Sequence, residues 1–300
     1  MKKTLVWAIV ASVAPCAAVA QGGVTVYGNV DQFIGFAKAG TTSWTRVEDG
    51  GSLGSRLGFR GDEDLGGGLK AFYNFQAGLS ADTGAGKQAG ALAFNLASFV
   101  GLSGPWGSVT AGRQLTPFIA AVMRADPYVL ADVFTPLNLA AFTDAQPGLV
   151  SIVARANNML RYRTAGTEGF HADVAYAPGE ASVGDQHLSR RSGDLSGASL
   201  AWRSKAVSVA YGYQRQWSGS GAAPVAAPVM STFHSLMGTY RAAAPLLLTA
   251  NYTISSASKA GSPMGRLKSL GATYDVTPRS SLKFEWARRS VDGSVRGQSA

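Results

Sequence analysis

Arginine is the residue type with most to say about what chemistry this chain could do. In "SRLGFRG", Arg56 and Arg60 alternate with Leu57 and Phe59, and in "RANNMLRYR", Arg155, Asn157, Arg161 and Arg163 share a parity opposite Leu160 and Tyr162. A period of two places each set on one face of an extended strand, with the apolar residues on the other. Alone, each arginine reads as ordinary solvated charge. Several in one narrow, low-dielectric passage would focus a field and lower the entry barrier for anions relative to cations. Arg113 conflicts with the pattern: strict alternation from Val109 and Ala111 turns it to the apolar side, and only a bulge or bend near Gly112 brings it back.

Other chemistry finds little support. Gly50-Gly51-Ser52-Leu53-Gly54 matches the nucleophile-elbow pattern, but that motif needs a strand, a sharp turn and a helix, and here a loop leads into a strand. His171, His187 and His234 are far apart and none has metal-ligand spacing. The acids Asp62, Glu63 and Asp64 read as a solvated turn. The chain is therefore not expected to be an enzyme, nor to carry a cofactor or metal.

The elements that must position the arginines are strands. "SRLGFRGDEDLGGGLKAFYNFQ" is a β-hairpin whose reversal is made by Gly66, Gly67 and Gly68. In "LLLTANYTI", Leu246, Leu248, Ala250, Tyr252 and Ile254 share one face, and "SLGATYDV" and "VSVAYGY" repeat the logic. About thirteen strands are expected, beginning near residues 24, 55, 69, 92, 109, 154, 170, 197, 206, 233, 246, 266 and 281. A soluble sandwich would also alternate. Aromatics at the ends of apolar faces (Tyr211, Tyr213, Tyr240, Tyr252, Tyr274, Trp286), and short links alternating with long ones, instead suit a barrel in an outer membrane. One interruption, residues 115 to 150, is far longer than a hairpin loop and too apolar for a disordered tail, so it is expected to pack inside something.

The amino terminus reads as an export signal. Lys2 and Lys3 precede an apolar run from Leu5 to Val13, and Ala18 and Ala20 occupy small-residue positions that place cleavage after residue 20. Lipid attachment at Cys16 is the weaker alternative, because Pro15 stands before it. Cys16 is the only cysteine, so a chain cut there has no disulfide. The 27 basic residues then fall to 25 against 18 acidic ones, spread along the chain, which argues against a nucleic-acid partner.

Four segments, "VTVYGNVDQFIGF", "SRLGFRGDEDLGGGLKAFYNFQ", "FVGLSGPWGSVTAGRQLTP" and "RANNMLRYRT", resemble in order and separation the general diffusion porins of Gram-negative outer membranes, especially the neisserial and β-proteobacterial type. The resemblance is strong over residues 24 to 177 and looser afterwards. It implies an all-β fold, an antiparallel transmembrane barrel usually of 16 strands, in residues 21–300. It also implies a homotrimer, with a long third loop at about 115–150 folded into the lumen, surrounded by outer-membrane lipid and lipopolysaccharide and inserted by the outer-membrane assembly machinery. The implied function is passive diffusion of small hydrophilic solutes and anions. A constriction follows from the same resemblance: Arg56, Arg113 and Arg155 at the wall, joined by Arg60 and Arg161, facing Asp126 and Asp132 of the third loop. The chain departs from the family at Leu96, where the family's "FNR" has arginine, and at its end, "RGQSA", where a strand ending in phenylalanine is usual. An odd strand count leaves two unpaired edges. Either further strands go unrecognised or the chain is a shortened porin without a channel; a non-conducting surface barrel is the remaining alternative.

Overall fold

Alternation of period two becomes β-strand almost everywhere it occurs. The computed structural model describes residues 23–88, 90–129, 135, 152–179, 193–218, 229–258 and 264–291. Its strands are β1 (Thr25–Asn29), β2 (Gln32–Ala39), β3 (Thr42–Asp49), β4 (Arg56–Gly66), β5 (Leu69–Ser80), β6 (Ala85–Gly86), β7 (Ala97–Gly104) and β8 (Gly107–Leu115). There follow β9 (Arg155–Arg163), β10 (Gly169–Ala177), β11 (Leu195–Arg203), β12 (Val207–Ser218), β13 (Val229–Ala243), β14 (Leu246–Ala257), β15 (Gly265–Thr277) and β16 (Ser280–Val291). A 14-stranded antiparallel sheet takes them in the order β1-β4-β5-β7-β8-β9-β10-β11-β12-β13-β14-β15-β16, with β6 paired to the end of β5. Among the described residues β1 pairs only with β4 and β16 only with β15, so the sheet is open between those two edges.

Most strands begin within a few residues of where alternation placed them. The one expected near residue 92 joins the ladder only at Ala97, because Phe94 first packs its ring against Phe59 and Phe75, at 6.2 and 5.4 Å between centroids. The run "VTVYGNVDQFIGF" is two strands. Asp31 breaks it by accepting from the backbone N–H groups of Ser52 and Leu53 (2.7 and 2.5 Å) while its own N–H donates to Ser55 Oγ (2.8 Å). Beyond Asp31, β2 and β3 form a separate hairpin that the sequence reading did not foresee. The turn after the three acids is as expected: Gly66, Gly67 and Gly68 all have positive φ, and Asp64 Oδ1 accepts from Gly66 N.

The two faces of the sheet differ as a bilayer requires. Val100, Leu102, Leu160, Phe170, Leu200, Leu236, Leu270 and Phe284 are exposed on one face, Phe170 at 86% of its surface. The other face is small and polar, with Ser199, Gln214, Ser231, Ser235, Asn251, Thr253 and Ser269 buried. No described helix is long and apolar enough to cross a membrane.

What buries the polar face is the long third loop. Thr116 caps a short helix, α1 (Pro117–Val122), its Oγ1 accepting from Ile119 N at 3.3 Å with Pro117 in the first turn. A 3-10 turn, Met123–Ala125, continues it. Phe118, Ile119, Val122 and Ala125 form a buried cluster with Ala201, Ala210, Phe233, Met237 and Leu267 of the wall, and the Phe118 and Phe233 rings stand 6.3 Å apart. The wall makes room by omitting side chains. A Cβ at Gly197 would come within 3.1 Å of Pro117, one at Gly212 within 3.2 Å of Phe118, and one at Gly271 would overlap the Pro127 ring. Gly271→Ala should therefore cost about 1–3 kcal/mol by overpacking. The expected outcome is a lower thermal unfolding midpoint in detergent micelles, followed by circular dichroism. Gly238→Ala, whose Cβ would meet only Ser208 O at 3.5 Å on the outward face, should leave the midpoint unchanged.

Candidate functional site

The arginines gather where β4, β5, β7, β8 and β9 run beside the root of the third loop. A cavity of about 270 Å³ is lined by Arg56, Arg155, Arg161 and Arg163, together with Asn74, Gln76, Thr110, Gln114 and, from the loop, Met123. Arg56 is held by its own approach to the strand, Nε donating to Gly54 O at 2.9 Å. Arg155 donates from Nε to Leu96 O at 3.0 Å. Arg161 is buried and clamped: Nε and Nη2 donate to the two oxygens of Asp173 (2.7 and 2.5 Å), and Nη1 donates to Leu115 O (2.7 Å). Arg163 reaches the same carboxylate at 3.4 Å. Arg203 on β11 and Arg124 of the loop lie within electrostatic range of Arg163, extending the basic surface along the wall.

Of the residues singled out from sequence, Arg56, Arg155 and Arg161 thus come together. Arg60 keeps the parity of Arg56 but lies further along β4, exposed, with its guanidinium 5.2 Å from the centre of the Tyr27 ring. Arg113 is not among the residues lining the cavity. The expected register break is present between Gly112 and Gln114, but there two residues of β8 oppose three of β9, where Asn158 takes a φ of +51°. The extra residue lies on β9, and Gly112 of β8 itself takes a φ of +130°, so the break disturbs both strands beside Arg113. Thr110 and Gln114 share the inner face, Oγ1 donating to Oε1 at 2.8 Å, while Arg113 secures the joint by donating to Asn95 O and Asn157 Oδ1, both at 2.6 Å.

Asp126 does not line the cavity either. It is buried, accepting from Tyr128 N and from the Thr135 hydroxyl, both at 2.8 Å, and it lies against Glu285 of β16. Tyr128 donates its hydroxyl to Lys283 O at 3.0 Å on the same strand. These contacts seat this part of the loop on the wall remote from the arginines. Asp132 lies outside the described residues, as do His187 and residues 1–22, which hold the expected export signal at 1–20. No cluster of three potential metal ligands occurs among the described residues.

The acid that does stand with the arginines, Asp173, went unrecognised. The signal was there: "FHADVAY" gives it the inner parity, and the hairpin register puts it directly opposite Arg163. Its role is compensation of a buried charge. Asp173→Asn should leave Arg161 under-compensated and cost about 3–5 kcal/mol, whereas Arg161→Met with Asp173→Leu should cost far less. Unfolding midpoints of the single and double variants check this, the expected outcome being strong positive coupling between the two positions.

A family model described as Gram-negative porin matches residues 7–299. Outer membrane porin protein 32 of Delftia acidovorans is 35% identical over 179 residues, 59% of this chain and 50% of that protein. Major outer membrane protein P.IA of Neisseria meningitidis serogroup C is 34% identical over 142 residues, 47% of this chain and 32% of that protein. Among solved structures, the anion-selective porin from Comamonas acidovorans superposes with a TM-score of 0.78 at 26% identity, over 91% of this chain and 80% of that one. The chain spans about half or less of the length of these curated relatives. Matched along nearly its whole length by a family model, and built as a sheet with an apolar outside, a polar inside and an inward third loop, the chain belongs to the Gram-negative porin family.

Proposed function

We propose that the chain works in the outer membrane as a passive diffusion channel for small hydrophilic solutes and ions, with a preference for anions. The observation that carries this reading is the arginine cavity. Four guanidinium groups line it, and among the described residues the carboxylate of Asp173 is bound chiefly to Arg161. The remaining positive charge lies beside the third loop, where low-dielectric walls concentrate its field on a passing solute. The described part of the loop is seated on the opposite wall, and of its residues only Leu115 and Met123 line the cavity, which supports a channel over a plugged surface barrel. A related solved porin is itself described as anion-selective.

In this reading the third loop sets the size limit and the wall arginines set the charge preference, without gate chemistry or cofactor. Assembly as a homotrimer, as the family resemblance implies, and insertion by the outer-membrane machinery belong to the same proposal. The test is the zero-current potential across a planar bilayer holding the protein under a salt gradient. Arg56→Gln with Arg155→Gln should move that potential toward cations. A charge at about 6 Å in a watery passage is worth ~0.7 kcal/mol with opposite sign for anion and cation, so each removal should change the permeability ratio about tenfold at low salt. The shift should shrink as salt is raised. An unchanged potential would remove these arginines from the ion path.

A further inference from the structure

The basic cavity is not polar throughout. Phe72 and Phe99 line it beside the arginines, as do Leu96 and, from the loop, Met123. Phe72 shares the inner parity of Asn74 and Gln76, and Phe99 that of Ala97, so both rings break the small, polar pattern of the inner face. Packing beneath the loop does not account for them. Both are half-buried, and neither belongs to the buried cluster that seats Phe118 and its neighbours. They meet edge to face, 6.3 Å between centroids and 85° between planes. Room for them is built into the wall, since a Cβ at Gly101 would come within 2.7 Å of Phe72 Cζ. Exposed apolar patches rimmed by polar residues mark ligand-binding surfaces.

The charge beside these rings is unevenly committed. Arg161 is buried, holding both oxygens of Asp173 and the carbonyl of Leu115. Arg163 is the exposed member of the four, with 48% of its side chain open, and its Nε lies 3.4 Å from Asp173. It stands opposite Ser108 on β8, and Thr110, two residues along, stands opposite Gly101 on β7. Arg163 is therefore two strand spacings, about 10 Å, from the strand over which the Phe72 ring lies. A guanidinium pairs with a carboxylate through two parallel bonds, and aromatic rings pack on one another's edges and faces. A cavity offering both at that separation fits an anion whose charge is attached to a planar ring. A hydrated inorganic ion would use the arginines and leave the rings in water. The volume of about 270 Å³ is just under the roughly 300 Å³ at which drug-sized sites begin, so it suits a single ring and excludes long acyl chains.

We propose that the cavity selects aromatic carboxylates, with the carboxylate on Arg163 and the ring between Phe72, Phe99 and Met123. This deepens the channel reading and rests on it for the solute's access to the cavity.

The test titrates the full chain in detergent, by calorimetry at low salt, with three probes. Benzoate carries ring and charge, glucuronate the same charge on a hydroxylated ring, and benzamide the same ring without charge. Wild type should bind benzoate at least about tenfold more tightly than either control. Phe72→Ser with Phe99→Ser should bring benzoate down to the level of glucuronate, and Arg163→Gln should bring it down to that of benzamide. Equal binding of benzoate and glucuronate by wild type, or no binding of either, overturns the proposal, and that arm needs no variant to fold. Benzamide bound as tightly as benzoate overturns it too, because the arginines would then take no part. A folded double variant that keeps the benzoate margin has the same consequence. Conductance in planar bilayers separates the two readings. Channels that carry chloride but are neither blocked nor permeated by benzoate in preference to glucuronate sink the aromatic preference alone. Selective benzoate binding by a protein that never conducts sinks the channel reading and leaves the ligand of the cavity standing.

Discussion

The constraint on which the rest of the structure depends is the fit of Phe118 and its neighbours into a wall stripped of side chains. A membrane-spanning sheet whose inside is polar has no hydrophobic core of its own. Here the third loop supplies one: Phe118, Ile119, Val122 and Ala125 meet Phe233, Met237 and Leu267 across a strip opened by Gly197, Gly212 and Gly271. Burial of apolar surface on this scale offsets the entropy of ordering a long connection. Polar contacts then fix its direction. Gln214 Nε2 donates to Val153 O while Val153 N donates to Gln216 Oε1, pinning the returning end, and Tyr128 reaches Lys283 on β16.

That seat divides the interior into two unlike halves. The loop covers β11 to β16 and spends its own acid there, Asp126 against Glu285. The arginines of β4 and β9 are left with a cavity in front of them, and among the described residues Asp173 is the carboxylate that Arg161 and Arg163 contact. The electrostatic asymmetry thus follows from a packing choice: had this part of the loop leaned the other way, Asp126 would face the guanidinium groups instead of Glu285. Arg161 links the two halves, since its Nη1 holds Leu115 O at the root of the loop while Asp173 holds its other edge.

Much of this was legible in the chain because alternation in a membrane sheet is enforced on both faces. A residue slipped by one position would put charge in lipid or an apolar side chain in water, so strand identity and parity survive in the sequence. What was not legible depends on a second strand. Nothing in "VTAGRQ" reveals that the register break beside Gly112 adds its extra residue on the neighbouring strand, where Asn158 takes a positive φ. The split between β1 and β2 likewise depends on Asp31 finding Ser52, Leu53 and Ser55 after a hairpin. Asp126 could be assigned to the loop from sequence, but its neighbour Glu285 comes from the last strand of the sheet. Asp173 is the opposite case, since hairpin register alone would have found it.

The most direct measurement is a cross-link between loop and wall. In a chain with Cys16→Ser, Pro127→Cys and Gly271→Cys should bring two β-carbons within disulfide range, because a Cβ at Gly271 would overlap the Pro127 ring. Mild oxidation of the folded protein should then form one intramolecular disulfide, read as loss of thiol labelling and a shift in unreduced mobility. A control pair, Pro127→Cys with Gly197→Cys, should remain labelled, since Gly197 faces Pro117 at the other end of the strip. If the first pair stays reduced, or both pairs oxidise equally, the loop is not seated on this wall and the assignment of the open arginine cavity falls with it.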